Sequence, residues 1–374
     1  MLLTEARGKA LLREARIPVP QSFEVSSREE LTVRPIAYPV AAKAQVSSGG
    51  RGKSGGVLKC EDASRLENAF CTIMSTEFGG ERPKSILVES WLDIDRELYL
   101  AVVVDGRVGG MTVLYSPRGG VDIEQGPAPT AYAFGLPRNF QGHRLRRILE
   151  TVEPDAKIRE KVVGLARRLL QVAVDNECLT VEINPLVVRK DGSLVAADAK
   201  VVLDEAAAFR RSRTAEAIAT EREEADEDIR RCTDGNLMLV WLEGRVGLVS
   251  GGAGMTMAAM DAIDAAGSSP ACFLDVSGNP TPAGFDLAFD LLDRAPGVRG
   301  ILVSMFGGGL HTDRVARTLV DVLARRTSGK PVALRLAGTR SDEATEILRE
   351  AGYANHASLE RAVADIVSRT EIAA

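Results

Sequence analysis

Leu179-Thr-Val-Glu182-Ile-Asn184-Pro185-Leu-Val-Val188, a charged turn at Asp191-Gly192, and Leu194-Val-Ala-Ala-Asp198-Ala-Lys200 decide how the first half of this sequence folds. Two β-rich runs around an Asp-Gly turn spell a hairpin. Side chains alternate along a strand, so Glu182 and Asn184 share one face of the first run. Asp198 can lie opposite them on the return run. Two carboxylates and an amide oxygen on one face repel each other unless a cation joins them. Oxygen donors of this kind suit a Mg²⁺ that substrate phosphates also hold. A solvent-facing hairpin with ordinary surface charges fits the same residues, so both readings stand at this point.

Upstream, a strand over Tyr38 to Val46 carries Lys43 among apolar neighbours, where an ammonium is costly unless it meets an anion. It runs into Gly49-Gly50-Arg51-Gly52-Lys53-Ser-Gly-Gly56, and Val57 to Cys60 resumes as a strand. This loop joins two strands, so it is not a Walker loop, which joins a strand to a helix. A glycine-rich hairpin with Arg51 and Lys53 can fold over a polyphosphate, or it can be a plain basic loop. Strands are predicted over Ser85 to Trp91, Arg96 to Val104 and Val108 to Tyr115, the last two joined at Asp105-Gly106. Glu89 ends the first of these and Glu97 begins the second. Each carboxylate could accept from a nucleoside or simply be solvated. Helical spacing marks Leu2 to Ala15, Ala63 to Thr76 and about Ala156 to Asn176. The stretch from Ser116 to about Asn139, rich in Gly and Pro, reads as loop.

Asp204 to Arg231 reads as an exposed helical connector, and a boundary falls between Cys232 and Gly244. Beyond it, strand-like runs at Val246 to Ser250, Ala271 to Val276, Gly300 to Met305 and Pro331 to Leu336 each precede a helix-length segment. That alternation predicts a parallel sheet with helices on both faces. Glycines crowd the strand-to-helix junctions at Gly251-Gly252-Ala-Gly254, Ser277-Gly278-Asn-Pro280 and Phe306-Gly307-Gly308-Gly309. Ligands of such sheets bind at the carboxyl ends of the strands, where short turns let backbone N–H groups approach an anion.

The whole sequence narrows the classes further. Its 374 residues suffice for two or three domains, and a net charge of −5 without a basic block argues against nucleic acid as a partner. Five scattered cysteines without a Cys-x-x-Cys pair suggest a reduced, cytoplasmic setting and no zinc site. No apolar run approaches a membrane span, and charge comes too early for a secretory signal. The three histidines, His143, His311 and His356, form no nucleophilic constellation by spacing.

In order along the chain, Lys43-Ala-Gln-Val, Gly49-Gly-Arg-Gly-Lys-x-Gly-Gly56, Glu97-Leu-Tyr-Leu, Glu182-Ile-Asn-Pro-Leu-Val, Gly252-Ala-Gly254, Phe273-Leu-Asp-Val276, Phe306-Gly-Gly308 and Arg335-Leu-x-Gly338 resemble the β subunit of succinyl-CoA synthetase (succinate–CoA ligase). The resemblance covers almost the whole chain. It implies an α/β protein: an ATP-grasp nucleotide-binding domain with a helical connector over 1–231, then a flavodoxin-like, doubly wound CoA-ligase domain over 240–374. It implies ATP and CoA as substrates, Mg²⁺ as cofactor, and an α-subunit partner that carries the phosphohistidine and the CoA site. Carried over by position, Lys43 and Gly50, Arg51 and Gly52 would hold ATP phosphates, while Glu89, the backbone near Leu92, and Glu97 would hold the nucleoside. Asn184 and Asp198 would ligate Mg²⁺, Glu182 would lie near the phosphoryl acceptor, and Gly251 with Gly308, Gly309 and Leu310 would line the carboxylate pocket. Pro20 matches the residue common in ATP-using members.

The departures cluster at the acid site. Gly251 stands where the family usually has Asn, Gly309-Leu310 where it has Ile-Val, and Ser277-Gly278-Asn279-Pro280 where it has a glycine triplet. That last form resembles ATP-citrate lyase and citryl-CoA synthetase. A smaller lining would leave room for a larger acid such as malate or citrate. A self-contained carboxylate–amine ligase fits less well, because the second domain's glycine turns have no use there. A non-catalytic interaction subunit would have no use for Lys43, Asn184 and Asp198.

Overall fold

The computed structural model describes residues 1–34, 36–46, 54–120, 126–224, 226–278 and 280–372. They form two compact units, Met1–Ala219 and Thr220–Ala374.

The first unit runs α1 (Glu5–Glu14), β1 (Ser22–Val25), α2 (Glu30–Val33), β2 (Val40–Ala44), β3 (Val57–Cys60), α3 (Ala63–Ser75), β4 (Ile86–Ser90), β5 (Ile94–Asp105), β6 (Gly110–Ser116), β7 (Thr130–Gly135), α4 (Gly142–Leu149), α5 (Ala156–Asp175), β8 (Cys178–Arg189), β9 (Leu194–Ala196), β10 (Lys200–Leu203) and α6 (Ser212–Glu224), the last spanning the division. Two antiparallel sheets result. The smaller has the order β1-β4-β2-β3; the larger has the order β10-β8-β5-β6-β7, with β9 on β8. Helix α3 starts where the Asp62 carboxylate accepts the Arg65 N–H at 2.9 Å, and α5 starts where Asp155 accepts from Lys157 and Ile158. The 3.6-residue repeat then buries Ile158, Val162, Leu165, Ala166 and Leu169 of α5 in one core with Leu100, Val102, Val181 and Ile183 of β5 and β8. Burying each such Leu, Ile or Val side chain is worth about 1.5–3 kcal/mol.

The hairpin around Asp191-Gly192 forms but is broken. Strand β8 pairs with β9 from Leu186↔Ala196 to Val188↔Leu194, across the Asp191-Gly192 turn. The expected continuous return run instead divides: Lys200↔Glu182 opens a second ladder with β10, so residues 197–199 lie between strands. The stretch read as loop after Ser116 contains β7. Tyr132 and Phe134 alternate inward there, and the flanking Gly and Pro hid that short period. Helix α4, strand β1 and, in the boundary stretch, the strand at Met238–Trp241 also went unread.

The second unit runs α7 (Glu227–Asp234), β11 (Met238–Trp241), β12 (Val246–Ser250), α8 (Ala253–Ala265), β13 (Cys272–Asp275), α9 (Pro282–Arg294), β14 (Gly300–Gly307), α10 (Thr312–Arg325), β15 (Val332–Gly338), α11 (Ser341–Glu350) and α12 (Leu359–Ile372). Its sheet has the order β11-β13-β12-β14-β15, parallel except for the edge strand β11. Two apolar clusters cover the two faces. Helices α8 and α12 supply Ala259, Ile263, Val363 and Ile366 to one; α9, α10 and α11 supply Phe285, Phe289, Leu319 and Leu348 to the other. The chain steps from β12 to β13 on one side and then crosses to β14 on the other, which opens the crevice of a doubly wound sheet between β12 and β14.

Candidate functional site

In the first unit helix α1 and the smaller sheet bring four buried charges together. Lys43 on β2 donates to Glu5 Oε1 at 2.9 Å and to the Ala197 carbonyl at 2.7 Å, and it also pairs with Glu89 Oε1 of β4. Lys9 of α1 reaches the same groups: Glu5 Oε1 at 2.7 Å, Glu89 Oε2 at 2.5 Å and Ala197 O at 2.7 Å. Burial works against the charge on Lys43, but Glu5, Glu89 and Asp198 outweigh it and hold its pKa above the ordinary lysine value. Thus two of the residues expected around the nucleotide, Lys43 and Glu89, meet directly. The Ala197 carbonyl ties them to the segment that carries Asp198.

The β8 face is as the alternation requires. Glu182 and Asn184 are half-buried while Val181 and Ile183 point into the core. The Tyr99 hydroxyl of β5 donates to Glu182 Oε2 at 3.1 Å; burial, then the Glu182 charge, raises the pKa of that phenol and keeps it a donor. Asn184 exchanges two hydrogen bonds with Gly120, taking its N–H at 2.6 Å and giving its own amide to the carbonyl at 3.3 Å. Asp198 accepts the Ala199 N–H at 2.7 Å and is half-exposed. Glu97 lies against Gly120, whose φ of +92° and lack of a side chain both matter, because a Cβ there would strike the Glu97 carboxylate. Gly119 donates to the Glu97 carbonyl at 2.8 Å and leaves no space for a Cβ beside Leu98 O. Leu92 is half-buried in the link between β4 and β5, the strands that carry Glu89 and Glu97. Gly50, Arg51 and Gly52 lie outside the described residues.

For Mg²⁺ the donor set fits. Asp198 offers a carboxylate, and the Asn184 Oδ1 oxygen has a second lone pair beyond the one Gly120 uses. No group of three or more His, Cys, Asp or Glu side chains placed to hold a metal occurs among the described residues. A cation here would therefore draw its remaining ligands from water and substrate phosphates, as Mg²⁺ commonly does.

In the second unit the glycine turns gather at the carboxyl ends of the parallel strands. Asp275 at the end of β13 accepts from Gly252 N at 2.7 Å and from Ser277 N at 2.8 Å, binding two turns to one carboxylate. Gly251 faces Met305 of β14 across the crevice. A Cβ on Gly251 would come within 2.6 Å of Met305 Cε and 3.0 Å of Ser277 O, so the space expected to be vacated by a missing side chain is partly filled by Met305. Gly307 pairs with Gly338, whose φ of +123° lets the two strand ends close without a side chain between them. The Gly308 carbonyl is held by the Thr339 hydroxyl at 2.6 Å, and Leu310 leads into α10. Of the expected pocket residues, these contacts bring Gly251 to Met305 and Ser277. Gly308 directly follows β14, the strand that carries Met305, and Gly309 and Leu310 continue the same turn.

Residues 2–188 match the ATP-grasp domain family and residues 249–367 the CoA-ligase family. Succinate–CoA ligase (ADP-forming) subunit beta of Methanocaldococcus jannaschii is 32% identical over 367 residues, covering 97% of this chain and 98% of that protein. Its counterpart from Thioalkalivibrio sulfidiphilus is 36% identical over 376 residues, covering 94% and 95%. The chain belongs to the succinate–CoA ligase β-subunit family. The ATP citrate lyase of Methanothrix soehngenii, solved with citrate and coenzyme A, shares the fold at a TM-score of 0.72 and 19% identity, covering 98% of this chain and 99% of that one. The expected family and the expected order of ATP-grasp and CoA-ligase domains are therefore borne out.

Tyr99, Gly119-Gly120, Asp275, Glu5 and Lys9 went unread as site residues. Tyr99 sits inside the quoted Glu97-Leu-Tyr-Leu motif and could have been noticed. Glu5 and Lys9 read as a local i,i+4 pair, and their further partners Lys43 and Glu89 are too far away in sequence to be seen.

Proposed function

We propose that this chain is the nucleotide-binding β subunit of an ATP-dependent acid–CoA ligase, with succinate as the acid. It would act with an α subunit that supplies the phosphorylated histidine and the CoA site. The observation that supports this most is the meeting of Lys43 and Glu89 from one sheet with the Ala197–Asp198 segment of the other. That convergence brings the Lys43 ammonium, balanced by Glu5 and Glu89, next to the segment that carries Asp198, where it would meet a phosphate held by Mg²⁺. Lys43 would bind nucleotide phosphates. Gly50, Arg51 and Gly52 would join it, and Glu89, the backbone near Leu92, and Glu97 would hold the nucleoside. Asn184 and Asp198 would hold Mg²⁺, which neutralises phosphate charge. Glu182, oriented by Tyr99, would lie beside the phosphoryl acceptor, where its carboxylate would accept the N–H of one imidazole nitrogen and so leave the other nitrogen's lone pair free to take the phosphoryl group.

Among the chain's own histidines, His311 stands at the start of α10 with 41% of its side chain exposed and would be the internal candidate for the acceptor role, while His356 Nε2 lies 3.2 Å from Asp365; we take the acceptor to be a histidine of the partner. Gly251, Gly308, Gly309 and Leu310 would line the acid pocket, where turn N–H groups can meet a carboxylate. Phe306 near the end of β14 is 55% exposed and Met257 in α8 is 54% exposed, apolar surface that suits a docked α subunit. No described helix is long and apolar enough to cross a membrane. We place the working enzyme in the cytoplasm.

The test is to co-purify the chain with its α partner and measure CoA-dependent ADP release over a panel of acids. Succinate as the preferred acid supports the proposal. Preference for malate or citrate keeps the reaction class and replaces the acid, while no CoA-dependent turnover with any acid rejects the reading.

A further inference from the structure

Lys43 and Lys9 share one set of acceptors. Each ammonium reaches a Glu5 oxygen, a Glu89 oxygen and the Ala197 carbonyl, so the three donors of each are occupied. The arrangement is redundant: two lysines hold what one could hold. It is also asymmetric. Lys9 is 1% exposed, Glu5 2% and Glu89 3%, whereas Lys43 is 8% exposed and belongs to the strand that leads into the glycine-rich loop. A Lys43 that turns to a nucleotide phosphate must give up at least one of its present acceptors. Without a second cation, that exchange would leave two buried carboxylates facing each other, which is strongly unfavourable.

We propose that Lys9 is a positioning residue of the nucleotide site. It is a stand-in counter-ion that keeps Glu5, Glu89 and the Ala197 carbonyl partnered when Lys43 engages the nucleotide. The inference rests on the reading of Lys43 as a phosphate-binding group. Two consequences follow from the charge count. In Lys9→Met, Lys43 becomes the sole cation for two buried carboxylates and is held back from the phosphate. In Glu5→Gln/Lys9→Met, one cation faces one carboxylate, so the restraint on Lys43 is partly lifted.

The experiment uses the enzyme assembled with its α subunit. Initial rates give KM for ATP, succinate and CoA in the parent, Lys9→Met, Glu5→Gln/Lys9→Met and Lys43→Met. Lys9→Met is expected to raise KM for ATP roughly tenfold or more, the scale of a lost charge-assisted bond, with KM for succinate and CoA within about twofold of the parent. The double variant is expected to lie between parent and Lys9→Met for ATP. A purely structural Lys9 would disturb all three constants alike and would not be rescued by removing Glu5's charge, and either result overturns the proposal. If Lys9→Met does not fold, the double variant decides: KM for ATP at the parent value overturns it. Lys43→Met separates the two claims. A raised KM for ATP there with a parental value in Lys9→Met removes the role of Lys9 alone. A parental value in Lys43→Met removes the nucleotide site itself.

Discussion

Replacing Gly251 by the asparagine common in the family should destabilise this protein, although it restores a residue that suits its relatives. The ideal Cβ at Gly251 falls 2.6 Å from Met305 Cε, 3.0 Å from Ser277 O and 3.3 Å from Met305 Sδ. Gly251 is not among the glycines with a left-handed φ, so backbone strain is not the issue; crowding is. The Met305 tip can move, but Met305 is fully buried and its methyl must find other space. The Ser277 carbonyl cannot yield easily, because Ser277 has φ +67° and its N–H is pinned to Asp275 at 2.8 Å. Overpacking of this kind costs about 1–3 kcal/mol. For a unit of this size that lowers its melting temperature by roughly 2–12 °C, at about 2–4 °C per kcal/mol. Calorimetry on the chain reads the shift. Gly251→Asn/Met305→Ala should be more stable than the sum of the single changes by about 1 kcal/mol, since the new amide occupies the space the thioether leaves. A parental melting temperature for Gly251→Asn would refute the reasoning and return the pocket to one simply enlarged by a lost side chain.

Three further outcomes are expected. Asp198→Ala should lower Mg-ATP turnover at least ~100-fold, beyond the loss usual for residues that merely support a ligand, with a native circular dichroism spectrum; unchanged turnover removes the metal assignment. Tyr99→Phe deletes a hydrogen bond to a half-buried carboxylate and should slow phosphoryl transfer by about tenfold with KM for ATP unchanged; a shift in KM alone would place Glu182 in nucleotide binding instead. Cys71 is exposed, whereas burial pushes the Cys178 and Cys272 thiols up to about 12 and Cys232 up to about 11. Thiolate is the reactive form, so iodoacetamide at pH 8 should label Cys71 quickly and the buried thiols only in denaturant, as read by mass spectrometry; rapid labelling of a second cysteine would contradict this packing.

The residues that set strand period were legible, and those that act at long range were not. Alternation alone gave the Glu182/Asn184 face, and the glycines at strand ends gave the turns of the parallel sheet. The break at residues 197–199 was invisible because its cause lies elsewhere: the Ala197 carbonyl is taken by Lys9 and Lys43, from α1 and β2. Glu5 and Lys9 read locally as an ordinary i,i+4 helix pair, yet Lys9 meets Glu89 across 80 residues and Glu5 meets Lys43 across 38. The acid pocket misled for a related reason. A glycine in a sequence suggests empty space, but Met305, 54 positions away, has filled part of it.

The most direct test incubates the purified chain with Mg²⁺, γ-labelled ATP, CoA and succinate, alone and together with its α subunit. No acyl-CoA is expected from the chain alone. With the partner present, an acid-labile phosphoryl group is expected on a histidine of that partner, and succinyl-CoA forms with release of ADP. Acyl-CoA made by the chain alone, or a labelled phosphoryl group on His311, would contradict the two-subunit reading.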